Sequence, residues 1–509
     1  MRDLTNMAML TGVFVSALTG WAAAGYVGAA LGTALGVLLL VLPWHGQPLW
    51  SWLDLYLRRN RPLTLGDPVS VVNDRSGGGV RYQDGIAAVA IHILGKSYSP
   101  TYFTGTVVSE TADILPVNDL LSLMRQSLGL TLDSISVISS GSRRCGAGDY
   151  PRVYDTLIGT PPYAGQRETW LIIRIRAREN GEALRWRSTV GTAALAAAQR
   201  IAMTLRCKGV RARVATATDI AELDRRLGLA ALEPGNRRWH SGRGEVGWQT
   251  TYAYRPADIS TETLAQAWSL RVDAVVQNLT LFPDGGASAT VTVSTAKPPT
   301  APPAVWLQSL PGEQAPSVAA NLCGPRPVLR GAGRGPLSHP VVMPVGPSGV
   351  LIGKTGNGDR LLIPLTDLDE QTRVHIAADD SIAKRIVIRT AAAGERITVH
   401  TTNIARWDSV RIPNVAVVEH QRPVSGTTVS VIDGTVRPTP RPGTVISVGV
   451  AGPAVHPAAD VVIAQTGRDT VEITTGDRRY AARLECFRAE NRYASAEPAD
   501  LHPEPVVAH

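Results

Sequence analysis

Gly353-Lys354-Thr355 is the residue set most suggestive of chemistry, since a Gly-Lys-Thr run ends the loop that cradles nucleotide phosphates. The full pattern also needs an upstream glycine and a helix whose N-terminus faces the phosphates. Gly349 lies one residue too close, and Gly356-Asn357-Gly358-Asp359 follows, then the strand-like Arg360 to Leu365. The expected structure is a hairpin turn. Asp367-Leu368-Asp369 matches the metal-binding DxD of some glycosyltransferases, but three residues make a weak pattern. His375, His400 and His420 fall on successive candidate strands, where a shared metal site is conceivable; solvent-facing or hydrogen-bonded histidines are the commoner outcome. No HExxH and no Gly-x-Ser-x-Gly elbow occur. Cys145, Cys207, Cys323 and Cys486 are dispersed, with no CxxC, so zinc is not expected and a reducing compartment suits them better than a disulfide framework.

The elements around these residues suggest a nucleotide-type layout without its chemistry. Arg373 to Ile376 reads as a strand, Ala377 to Ser381 as a turn, Ile382 to Ala393 as a helix and Arg396 to His400 as a second strand. Val429 to Asp433 resembles the acid-ending strand of an ATPase. Asp379 and Asp380 at the helix start would repel phosphate. The expectation is a βαβ unit, a decayed nucleotide fold with no cofactor.

The N-terminus carries the strongest physical signal. No formally charged residue lies between Asp3 and Asp54. The apolar stretch from Met7 to Trp44 is close to twice the ~20 residues one span requires. Two antiparallel spans are expected, reversing between Trp21 and Tyr26. A signal peptide cleaved after Ala22-Ala23-Ala24 is the rival, weakened by a poor basic region and a second apolar stretch directly behind. Arg2 before the spans and Arg58, Arg59 and Arg61 after them place both ends, and all that follows, on the cytoplasmic side of the membrane. Small residues recur at every fourth position, Gly12, Ser16, Gly20, Ala24, Gly28, Gly32 and Gly36, and would let helix backbones approach. Trp44, Trp50, Trp52 and Tyr56, with Arg58, Arg59 and Arg61 behind them, read as anchors of an interfacial helix.

The remaining sequence is globular: 44% hydrophobic and 18% charged, enough for a sizeable core. Net charge is +8. Without a run of five basic residues or a nucleic-acid motif, this favours contact with membrane lipid over nucleic acid. Strands are expected at Ile86 to Leu94, Phe103 to Ser109, Ile135 to Ile138, Thr169 to Ala177 (with Arg174 and Arg176 on a polar face) and Arg211 to Ala215. Helices are expected at Val117 to Ser127, Ala183 to Arg206 and Asp219 to Leu227, with Asp219 as cap and Glu222 at the box position. Between Gly141 and Trp170 glycine, aromatic and charged residues mix in a way that suits either a docking loop, with Asp149, Tyr150, Tyr154, Asp155, Tyr163, Arg167 and Trp170 as its contacts, or an ordered structural loop.

The string Gly148 to Trp170, with Arg75-Ser76-Gly77-Gly78-Gly79-Val80-Arg81-Tyr82 before it and Ala215-Thr216-Ala217-Thr218-Asp219 after it, resembles the EccE family, membrane components of mycobacterial type VII (ESX) secretion systems. The likeness is close over about residues 1–230 and weaker beyond. It implies a structural, non-enzymatic subunit working with EccB, EccC, EccD and the mycosin protease, EccC being the ATPase, with no catalytic residues to carry over. The alternatives are a membrane-anchored glycosyltransferase-like enzyme using a nucleotide sugar and a degenerate nucleotide-binding regulator.

The expected architecture is a membrane-anchored α/β protein. A transmembrane hairpin and interfacial helix (1–61) precede a first α/β domain (62–235). A second, β-rich α/β domain (236–487) follows, with Pro298-Pro299-Thr300-Ala301-Pro302-Pro303 as a linker, and then a disordered tail (488–509).

Overall fold

A computed structural model of the chain describes residues 2–40, 43–44, 47–59, 61–72, 77–105, 107–450 and 458–494.

The segment Arg2–Leu40 is helical throughout except at Ala24 and Gly25. Gly25 has φ +58°, a conformation that costs glycine little and other residues more. Leu10–Leu38 has a mean hydropathy of 1.5 and is 11% buried, so by length and composition it can cross a membrane. It is not straight. Gly20 lies against Gly28, and Ser16 against Gly32. A continuous helix would hold these pairs about 12 and 24 Å apart. The helix Leu49–Arg58 follows.

The first sheet is antiparallel. Its order is Gly242–Arg243, Trp248–Tyr254, Gly286–Thr295, Ala274–Leu281, Ser134–Ser142, Gln166–Arg176, Ile86–Ile93, Gly77–Gln83 and Val69–Val72. Ile86–Ile93 is buried along its whole length because both faces are covered. Ala87, Val89, Ile91 and Ile93 join the core that contains Ala194, Leu195, Ala198 and Ile201 of the helix Val190–Cys207. Ala88 and Ala90 meet Ile220, Leu223 and Leu227 of the helix Ala217–Leu227. The two-residue period of a strand divides the run between these two layers.

The second sheet starts with six parallel strands, in the order Val415–Val418, Ile397–Thr401, Val429–Asp433, Thr444–Gly449, Thr372–Ala377 and Val461–Gln465. It continues antiparallel through Thr470–Thr475, Arg478–Leu484, Val350–Lys354 and Arg360–Ile363, and ends on Thr101–Thr104 and Val108–Thr111. The βαβ unit is present as expected, with its helix at Asp380–Ala393.

Several expectations need correcting. The boundary near 235 falls inside the first sheet, since Ala274–Leu281 is hydrogen-bonded to Ser134–Ser142. Pro298 to Pro303 is a loop within that sheet, because Leu307–Ser309 returns to pair with Trp248–Tyr254. Phe103 to Ser109 is a hairpin. The helix from Val117 ends at Ser122. The Ala-rich helix starts only after Thr189, whose side chain accepts from Thr192 N–H. Thr216, not Asp219, caps the next helix, and Asp219 closes the box from the third position. Residues 488–494 of the supposed tail form the short helices Arg488–Glu490 and Asn491–Ala494, and Glu490 is fully buried. The rest of the tail lies outside the described residues.

Candidate functional site

Each motif that tempted a catalytic reading is bonded into the fold. Lys354 ends one strand of a hairpin whose turn is closed by Thr355 N–H to Asp359 O at 2.8 Å. Its Nζ lies 2.6 Å from Glu485, in a half-exposed pair. Such pairs contribute about 0–1 kcal/mol. Lys354→Ala is therefore expected to leave secretion unchanged, as measured by substrate export at matched protein level.

Asp367 accepts from the backbone N–H of Asp369 and Glu370 and pairs with Arg211 at 2.7 Å, while Asp369 meets Arg213 at 3.3 Å. The DxD pattern thus links the loop before the strand Thr372–Ala377 to the first sheet. Burial works against the Asp367 charge, but the bonds from Arg211 and Asp369 hold its carboxyl at about 2.

The three histidines do not share a site. His375 bonds Ser447, and His400 uses one ring nitrogen on His420 O and the other on Ser430. The strands of His375 and His400 are separated by two others. Among the described residues no group of three metal-ligating side chains occurs. At the end of the βαβ unit, Arg406 bonds both Asp380 and Asp433. Trp407 Nε1 and Thr401 Oγ1 take the second oxygen of Asp433. A guanidinium and two carboxylates fill the mouth where phosphates would need donors.

The expected docking loop is an internal clamp. Tyr150–Ile158 is a helix, and Tyr150, Tyr154 and Ile158 (spaced i, i+4, i+8) enter the core of the second sheet together with Tyr163 and Phe103. Tyr154 Oη accepts from Leu351 N–H at 2.9 Å, and Tyr163 donates to Gly349 O. Asp155 is buried against Arg143, which also donates to Pro161 O and Trp268 O. Arg167 donates to Gly346 O, and burial lowers its pKa to about 10. Of the seven residues expected at the surface, Asp149 alone is exposed. The helical spacing of apolar residues from Tyr150 to Ile158 was a legible signal, obscured by the glycines and prolines on either side. Arg174, expected on a polar face, is also fully buried; it donates to Ser136, Gly324 O, Ala320 O and Leu322 O.

Trp170 stacks on His92 with ring centroids 4.0 Å apart. Both ring nitrogens of His92 are buried without a hydrogen-bond partner among the described residues, and burial pushes its pKa down to about 4. As pH falls below 6.5 the unfolded chain gains the proton first, so stability is lost between pH 6.5 and 4. The wild type is expected to lose about 2 kcal/mol more than His92→Phe between pH 6.5 and 5, read from urea midpoints at the two pH values.

The helix Leu49–Arg58 joins the membrane arm to the globular part. Asp54 pairs with Arg330 at 2.8 Å. Trp52 and Tyr56 lie 6.2 and 6.4 Å from the Trp239 ring. Arg59 covers the Tyr56 ring at 3.6 Å. Leu53, Tyr56 and Leu57 stay exposed. The side chains of Trp44, Trp50 and Arg58 lie outside the described residues.

The profile of the family described as "Putative type VII ESX secretion system translocon, EccE" matches residues 163–254. The ESX-2 secretion system protein EccE2 of Mycobacterium tuberculosis is 49% identical over 98% of this chain and 97% of its own length. The ESX-1 secretion system protein EccE1 of the same species is 26% identical over 74% of this chain and 77% of its own length. The ESX-5 secretion system protein EccE5 of Mycobacterium marinum is 30% identical over 30% of this chain and 40% of its own length. With near-complete coverage at 49% identity, the chain belongs to the EccE family and is a component of a type VII secretion system.

Proposed function

We propose that this chain is a structural, non-catalytic subunit of the inner-membrane complex, held by two antiparallel spans with the globular part cytoplasmic. The observation that carries this reading is the reversal at Ala24–Gly25, which lays Gly20 against Gly28 and returns the chain to the side it started from. Arg59 and Arg61 behind the spans support the orientation. Lys354, Asp367 and Asp433, each engaged within the fold, support a non-catalytic role. In this role the spans pack against partner helices, and the cytoplasmic sheets offer surface to EccB, EccC, EccD and the mycosin. Fusions of a reporter active only in the cytoplasm, placed after Arg61 and after His509, are expected to be active at both sites. A periplasmic reporter active at either site would overturn the topology. Mass spectrometry of the detergent-purified complex identifies the partners.

A further inference from the structure

A cavity of about 1070 Å³ opens where the helix Leu49–Arg58 meets the globular part. Trp239 forms one wall, seated over Gly312, whose N–H bonds Trp239 O at 2.7 Å; Gly312 has φ +76° and no room for a side chain. Arg59, Arg61, Arg237 and Arg238 line the cavity, and none has a carboxylate within ion-pair distance among the described residues. The two acids of the lining are already engaged: Asp54 pairs with Arg330, and Glu313 accepts from the N–H groups of Arg330 and Gly331. Arg59 donates to Tyr56 O, Arg237 to Leu232 O and Arg61 O, and Arg238 to Gly235 O and Arg237 O, but carbonyls do not cancel a full charge; four guanidiniums around a concave space form a receptor for an anion, because guanidinium matches phosphate oxygens in a two-pronged geometry. The setting identifies the kind of anion. The exposed Leu53, Tyr56 and Leu57 stand on the helix that borders the cavity, directly after the apolar segment. Aromatic rings and basic side chains at that depth are what a phospholipid headgroup region retains.

The geometry points to this cavity as a binding site for the headgroup of an anionic phospholipid of the leaflet from which the globular part emerges. The site rests on the membrane attachment proposed above and adds a lipid preference to it. Arg237 is the partly buried member of the set, and burial lowers its pKa.

The full chain in neutral detergent is titrated with dioctanoyl phosphatidylglycerol, dioctanoyl phosphatidylcholine or inorganic phosphate, and its Tm is followed. Phosphatidylglycerol is expected to raise the Tm by about 3 °C or more, and the other two by less than about 1 °C. The variant Arg59→Gln/Arg61→Gln/Arg238→Gln, whose three sites are all exposed, is expected to keep the ligand-free Tm and lose the rise. An equal response to phosphatidylcholine overturns the headgroup site, as does an equal response to phosphate or a rise retained in the triple variant. If the triple variant does not fold, native mass spectrometry of the wild type decides: phosphatidylglycerol adducts must outlast phosphatidylcholine adducts, and equal retention refutes the site. Alkaline carbonate extraction of membranes reports anchoring separately. A protein that resists extraction yet shows no lipid preference loses this site and keeps its spans.

Discussion

Glu490→Ala is expected to cost about 3–5 kcal/mol of stability, enough to unfold much of the second sheet at 37 °C. Glu490 and Arg389 are both fully buried and bonded at two points, 2.8 and 2.7 Å. Tyr150 donates to the same carboxylate at 2.7 Å. Burial works against the Arg389 charge, yet the bond and charge of Glu490 hold its pKa above the ordinary guanidinium value. The alanine would leave a cation in the core with only the carbonyls of Leu351, Ile352 and Glu485 around it, and would leave Tyr150 without its acceptor. Removing both charges is a different matter. Arg389→Met/Glu490→Leu is expected to recover part of the loss, since two apolar side chains need no pairing while Tyr150 and Arg385 still lack the carboxylate. Urea denaturation of Arg389→Met, Glu490→Leu and the double gives the coupling energy. A Glu490→Ala protein within about 1 kcal/mol of wild type would show that the pair does not hold the C-terminal helices in place.

Gly28→Leu/Gly32→Leu is expected to release the protein from its complex while insertion into the membrane continues, since leucine favours the bilayer. A Cβ at Gly28 would overlap the carbonyl of Gly20, and one at Gly32 the carbonyl of Ser16. Both obstacles are backbone atoms that no rotamer change can move, so the two arms must separate. Contacts in bilayers contribute only ~0.6–2 kcal/mol each, so two blocked approaches act together where one would weaken the contact. Leu31 and Leu38 are exposed on these arms, and Leu→Val there is expected to be tolerated. Co-purification from detergent at wild-type yield would exclude the glycine face as a determinant of assembly.

The sequence made some of this legible and concealed the rest for physical reasons. The charge-free stretch from Leu4 to Leu53 made apolar helix legible, and the chain is helical from Arg2 to Leu40 apart from Ala24 and Gly25. Ile86–Ile93 and the βαβ unit around Asp380–Ala393 were readable because local periodicity and local hydrogen bonding agree there. Tyr150, Tyr154 and Tyr163 were misread as surface residues. Tyr154 and Tyr163 are bonded to Leu351 and Gly349, about two hundred residues away, and Tyr150 to Glu490, farther still, which no window of sequence contains. Arg174 and Arg389 were invisible as core residues for the same reason: an arginine is buried only when distant acceptors converge on it. The domain boundary at 235 failed because prolines mark loops, and loops connect strands of one sheet as readily as they connect domains.

The hairpin Thr101–Thr111 has a consequence for the order of events at the ribosome. Phe103 pairs with Arg360 and with nothing nearer in the second sheet than its own return strand. At ~5–20 residues per second, about 10–50 s separate the synthesis of these two partners. Throughout that interval the strand edge of Thr101–Thr104 is without its neighbour Arg360–Ile363. Long-range pairing of this kind is slow and exposes unpaired edges to other chains. The Tyr150–Ile158 helix is in the same position, its tyrosines made well before the Leu351 strand that covers them. The second half of the chain therefore completes the first, and release from the ribosome rather than emergence of either half sets the moment at which this subunit becomes competent to assemble.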